Sequence, residues 1–129
     1  MQLNTQSRYA LRATLELARE YGKSIPLSKI SENQYLSVRY LEQIFAKLKK
    51  AGIVESVRGV KGGYYLAKKP EEILVGDVIQ IFEEFYPTEC LKGRECDLIE
   101  RCLTKNLWAK LKVNIDEVLF KTTLEDLLK

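Results

Sequence analysis

Histidine is absent from this 129-residue chain. With no imidazole there is no neutral-pH acid–base group of the usual kind, no histidine-centred catalytic set and no imidazole ligand for a metal. No phosphate-cradling glycine loop is present either, and the four-thiol set of a ferredoxin is missing. Apolar runs are short: none approaches the roughly 18 residues of a membrane span. The opening MQLNTQSRYALRATLELARE lacks the basic, then apolar, then small-residue order of a secretory signal, so the cytoplasm is the expected location. Cysteine is scarce, and its count of three is odd. In a reducing compartment that count argues against a disulfide framework and leaves metal binding or thiol chemistry. There is no internal repeat and no low-complexity segment.

What is present is enough to fold. An apolar content of 46% supports one domain of ordinary size with room for an appended helix. The net charge of +3 conceals a division. Residues 1–69 carry thirteen Lys and Arg against five Asp and Glu, whereas residues 70–129 carry eight against thirteen. A basic first half wants an anionic partner, and nucleic acid is the leading candidate.

Along the chain, Ala10, Ala13, Leu17 and Tyr21 beside Leu11, Leu15 and Ala18 make a helical stripe, closed by a left-handed cap at Gly22. KSIPL turns the chain. Ser28 is placed to cap a short second helix through about Asn33, with Ile30 inward. Ser37 is placed to cap a third helix that runs to Ala51 and closes at Gly52. In it Leu41, Ile44, Phe45 and Leu48 share one face, and Arg39, Glu42, Gln43, Ala46 and Lys50 the other. IVESVRGVKGGYYLAKKP then reads as a β-hairpin, Ile53, Glu55 and Val57 in one arm, Tyr64 and Leu66 in the other, around Gly59 to Gly63. Two short helices, a turn and a glycine-tipped basic hairpin are the order of a winged helix-turn-helix. The expected fold is therefore mainly α with a small β-hairpin wing, a DNA-binding domain over residues 1–70 and a second region over 71–129.

In the second region EEILVGDVIQIFEEF predicts one helix, with Val78, Ile81, Phe82 and Phe85 at helical spacing. A long helix is expected from about Thr104 to Phe120. Leu107, Trp108, Leu111, Ile115, Val118 and Leu119 cover roughly 120° of it, a stripe that implies a partner helix. Thr122 and Glu125 suggest a capping box for a final turn that tucks against the domain or its mate.

Two constellations carry chemistry. On the third helix Arg39 suits a bidentate contact to guanine, Gln43 an adenine edge or a phosphate, and Glu42 a cytosine amine. Arg58 and Lys61 stand at the wing tip, where Gly62 and its neighbours let backbone approach a sugar-phosphate chain. The alternative is a solvated polar face, which the hairpin that follows disfavours. The second constellation is CLKGRECDLIERC, with Cys90, Cys96 and Cys102 six apart. At about 100° per residue, six positions leave successive thiols about 120° apart around a helix, so they cannot share a face. A loop bent around one centre, aided by Pro87 and Gly93, is the alternative. Structural zinc sites usually pair cysteines more closely, which favours an iron–sulfur cluster over zinc; a redox thiol and inert burial remain open.

SRYALRATLELA, LEQIFAKLKKAGIVESVRGVKGGYYLAKKPEEILVGDVIQ, the cysteines at this spacing, the Trp108 helix and the TTLEDLL ending together resemble the Rrf2 family of bacterial winged-helix regulators, with its IscR, NsrR and CymR groups. The resemblance covers nearly the whole chain. It implies a homodimeric transcription regulator, often a repressor, without catalysis, joined through the long helix and bound to a pseudo-palindromic double-stranded operator. By match to its motifs, Cys90, Cys96 and Cys102 hold a [2Fe-2S] or [4Fe-4S] cluster that reports iron–sulfur, nitric oxide or redox status. Ser37, Glu42 and Gln43 fall on its reading positions, and Arg58 on its minor-groove wing arginine. Members without a cluster act through a protein partner or thiol oxidation, the alternative here. Two departures stand out: Lys105 occupies the IscR group's histidine position, and Arg8 that of the NsrR group's carboxylate ligand. The fourth ligand is thereby unassigned, with Glu89, Glu95, Asp97, Glu100, a residue near Arg8 of a second copy or an exogenous group as candidates. Arg39 replaces the small residue of the IscR group, so the operator need not match that of a known member.

Overall fold

The computed structural model describes residues 2–93 and 96–129. Helix α1, Thr5–Arg19, begins at Asn4, whose side chain accepts from the Ser7 amide at 2.7 Å. It buries Ala10, Ala13, Leu17 and Ala18. Tyr21 lies beyond its end and is half exposed, and the left-handed Gly22 stands in the turn after the Glu20 cap rather than at the cap itself.

Helix α2, Leu27–Gln34, starts two residues earlier than a Ser28 cap would set it. Pro26 occupies the N-cap, its extended backbone presetting the entry, and no side chain caps the helix. Helix α3, Val38–Lys50, is capped as its sequence predicts, with Ser37 Oγ accepting from Tyr40 N at 3.1 Å. Leu41, Ile44, Phe45 and Leu48 are fully buried. Gly52, at φ +81°, turns the chain into strand β1, Val54–Val57, which pairs antiparallel with β2, Gly63–Leu66. The buried cross-strand pair is Val54 with Leu66; Ile53 is half-buried and Glu55 and Val57 point outward.

After a 3-10 turn at Pro70–Glu72, helix α4 spans only Val75–Ile79. The longer helix that the spacing of Ile81, Phe82 and Phe85 suggests does not form. Carbonyls beyond Ile79 find distant partners instead: Asn4 Nδ2 donates to Phe82 O at 3.4 Å, and Lys112 Nζ to Phe85 O at 2.7 Å. Helix α5, Lys105–Lys121, packs against α4, and the Phe120 ring lies so close to Gly76 that a β-carbon there would meet it at 2.5 Å. Helix α6, Leu124–Leu127, closes the chain with a capping box one residue later than expected: Thr123 and Asp126 exchange bonds of 2.9 and 3.0 Å. Thr122 is engaged elsewhere, donating to Val118 O at 2.7 Å. Leu124 is fully buried and bridges to Ile73, so the final turn tucks against its own chain, and Ile73, Val78 and Leu124 share one core with α1 and α3. Among the described residues no helix is long and apolar enough to cross a membrane.

Candidate nucleic-acid interface and cysteine segment

Helix α3 divides cleanly. Its apolar face is locked in the core, while Arg39, Glu42 and Gln43 are exposed and make no hydrogen bond or ion pair with any other described residue. Ser37, by contrast, already spends its hydroxyl oxygen as the helix cap. The two helices before it are braced through polar contacts: Arg12 donates to Gln34, and Gln34 and Asn33 donate to Glu16, which is nearly buried. Recognition-helix side chains thus project from a rigid support.

The wing is fastened to the α1–α2 connection. Ile25 and Tyr64 exchange two backbone bonds of 2.9 Å, and Ser24 Oγ donates to Lys61 O at 2.8 Å. Glycine is compulsory twice here. A β-carbon on Gly63, at φ +157°, would lie 2.3 Å from Ile25 O, and one on Gly62 would lie 2.6 Å from Val57 O. Gly62 therefore serves the wing's own tight turn, in which its amide donates to Gly59 O at 2.9 Å. Arg58, Val60 and Lys61 are left exposed at the tip. Lys23 joins Lys61 along an open groove of about 530 Å³ with Ser24, Pro26, Val60 and Gly62. Lys23 had no signal in the sequence, because only the long-range pairing of Ile25 with Tyr64 brings its loop to the wing.

Cys90, Cys96 and Cys102 are half-buried free thiols in an irregular segment that contains one 3-10 turn, Glu89–Lys92, and the left-handed Gly93. Thiols of this kind fit an iron–sulfur cluster by donor chemistry. Among the described residues no three His, Cys, Asp or Glu side chains gather where a metal would sit. Each outer thiol has a local partner, Cys90 in Thr88 Oγ1 at 3.0 Å and Cys102 in Thr104 Oγ1 at 3.3 Å. The Thr104 hydroxyl, with its amide and that of Lys105, lowers the Cys102 thiol from the ordinary thiol value, which favours the ligating thiolate. Of the acids, Glu89 accepts from Lys92 Nζ at 3.3 Å, Asp97 and Glu100 are exposed, and Glu95 lies outside the described residues. Lys105 donates to Ile99 O at 3.0 Å and faces the segment as a cation.

On α5 no residue is buried. Trp108, Leu111, Ile115 and Leu119 are half covered, and Leu107 and Val118 are 56% and 65% exposed. An apolar stripe of that length is only partly covered by the described residues of its own chain.

Residues 3–129 match the family model of Rrf2, iron-dependent transcriptional regulators. The HTH-type transcriptional regulator IscR of Vibrio atlanticus is 44% identical over all of this chain and 76% of its own. Among solved structures, T. potens IscR superposes with a TM-score of 0.82 at 40% identity, over 99% of this chain and 86% of that one. CymR, the global cysteine regulator of B. subtilis, gives 0.84 at 38% identity, over 98% and 95%.

Proposed function

Because the chain belongs to the Rrf2 family of helix-turn-helix transcriptional regulators, we propose that it is a homodimeric repressor that reads a pseudo-palindromic operator and senses iron–sulfur, redox or nitric oxide status through three cysteines. DNA binding, not catalysis, is the family's activity. The observation that carries the reading is the division of α3: four apolar side chains fully buried, and Arg39, Glu42 and Gln43 exposed beside them. A helix so anchored presents an unengaged polar face at no cost in folding contacts.

In this reading residues 1–70 bind DNA and 71–129 sense and dimerise, although both contribute to one core. Arg39, Glu42 and Gln43 read base edges in the major groove, Arg58 enters the minor groove, and Lys61 neutralises phosphate. Gly62 keeps the wing turn tight enough to approach the backbone. Ser37 sets the start of α3 and reaches DNA with its hydroxyl proton. Trp108, Leu111, Ile115 and Leu119 pack on the same stripe of a second copy, the one surface that matches them in length and chemistry.

Cys90, Cys96 and Cys102 would hold the cluster, which supplies reactivity toward oxygen and nitric oxide. A carboxylate or an exogenous ligand would complete the site, since the chain offers no imidazole. One observation favours a second reading, control by thiol oxidation, zinc or a protein partner: two of the three sulfurs, those of Cys90 and Cys102, are engaged by neighbouring threonines, and no three ligand side chains group among the described residues. Titration of labelled duplex at several salt concentrations tests the DNA-binding core of the proposal. Affinity should fall steeply as salt rises, each neutralised phosphate contributing about 0.9 to the logarithmic slope. A flat dependence would overturn it.

A further inference from the structure

Tyr35 is the C-cap of α2 and, among the described residues, the one non-glycine residue at positive φ, with φ 56° and ψ 42°. A β-carbon in that left-handed region crowds the backbone, which is why glycine or asparagine usually stands there. Among the described residues no side chain compensates the tyrosine. Its side chain is 93% exposed, and neither ring nor hydroxyl has a partner among the described residues.

Its chain neighbours, by contrast, are fixed from both sides. Arg12 donates through Nε to Gln34 Oε1 and through Nη2 to the Gln34 carbonyl, each at 2.8 Å. On the other side the Leu36 amide donates to Ser31 O at 3.3 Å, and the Ser31 hydroxyl donates to Leu36 O. The Tyr35 amide also donates to Ser31 O. The backbone that carries this outward-pointing phenol is thus clamped at the helix-turn-helix turn, two residues before Ser37 opens α3. In such motifs the first residues of the second helix meet base edges, and the elements flanking them meet the backbone.

We propose that Tyr35 is a further DNA-binding residue, its hydroxyl donating to a phosphate oxygen at the edge of the groove that α3 enters. This rests on the DNA-binding reading above. Tyrosine is among the side chains that make backbone contacts, and a hydrogen bond to an anionic oxygen is stronger than one between neutral groups. A neutral phenol displaces no counterion, so it adds affinity without adding salt dependence, unlike Lys61. Left-handed backbone at this position aims the side chain away from the core, which explains why the protein tolerates it.

The test is fluorescence titration of the full-length protein with two duplexes, one carrying the strongest site selected from a random pool and one of scrambled sequence, across several salt concentrations. Tyr35→Phe removes only the hydroxyl. Tyr35→Gly removes the side chain at a position whose backbone suits glycine, so it should melt at or above the wild-type temperature. Both should lose about tenfold in affinity on both duplexes, the loss expected for one hydrogen bond to a charged group, with the wild-type salt slope retained. Lys61→Ala should instead lower the slope by about one. The proposal is overturned if either variant binds within twofold of wild type, if the loss is confined to the selected site, or if the slope changes. Wild-type protein that binds neither duplex would remove the DNA-binding reading itself; wild type that binds while the tyrosine variants match it would remove only this assignment.

Discussion

Arg39 and Gln43 should respond to substitution differently from Lys61, because base edges carry sequence information and phosphates do not. Arg39→Ala and Gln43→Ala are each expected to cost about 1 to 3 kcal/mol on the best site and to leave scrambled DNA little affected, as read by anisotropy on both duplexes. Equal losses on the two would make them backbone contacts. These side chains were legible in the sequence, since the 100° periodicity of α3 separates them from Leu41, Ile44, Phe45 and Leu48. Lys23 and Tyr35 were not: one is brought to the wing by backbone pairing, and the other is defined by its φ angle, which no pattern of residue types records. The cysteines were legible as a donor set, but their engagement by Thr88 and Thr104 was hidden in neighbours two residues away.

Elements were readable where local chemistry decides them. Ser37 caps α3 and Gly52 turns out of it because each acts on adjacent backbone. Helix α4 ends at Ile79, and the turns that follow it are tied to distant elements, with Asn4 and Lys112 donating to the carbonyls of Phe82 and Phe85. Between Thr122 and Thr123 the sequence could not choose the cap, since the first is taken by the last turn of α5. Two outcomes test this scale. Gly63→Ala should loosen the wing from Ile25, lower the melting temperature and weaken binding to every duplex, measured by calorimetry and titration; unchanged values would mean that the wing anchor is dispensable. Leu124→Ala should cost about 2 to 5 kcal/mol in urea unfolding, because it empties a fully buried site shared with α1. Backbone and side-chain donation from Thr123 holds the Asp126 carboxyl below its ordinary value of 3.8. The stabilisation from that cap is therefore complete above the unfolded-state value and lost as pH falls through the lower, folded-state one.

At the scale of the whole molecule, the chain has a basic first half and an acidic second half; in the proposed function these divide the labour between DNA and signal, and α5 joins two such units. Ile115→Asp on the half-covered stripe should yield a folded monomer by sedimentation, with helical content retained and operator affinity lost; a dimer that persists would place the interface elsewhere. The central claim, that the three thiols hold an iron–sulfur cluster, is met most directly by purifying the protein without oxygen and measuring its iron, sulfide and visible spectrum. Brown protein with both elements bound, reduced to colourless by Cys90→Ser, Cys96→Ser or Cys102→Ser, is the expected result. Colourless wild-type protein with three titratable thiols and no iron would contradict it.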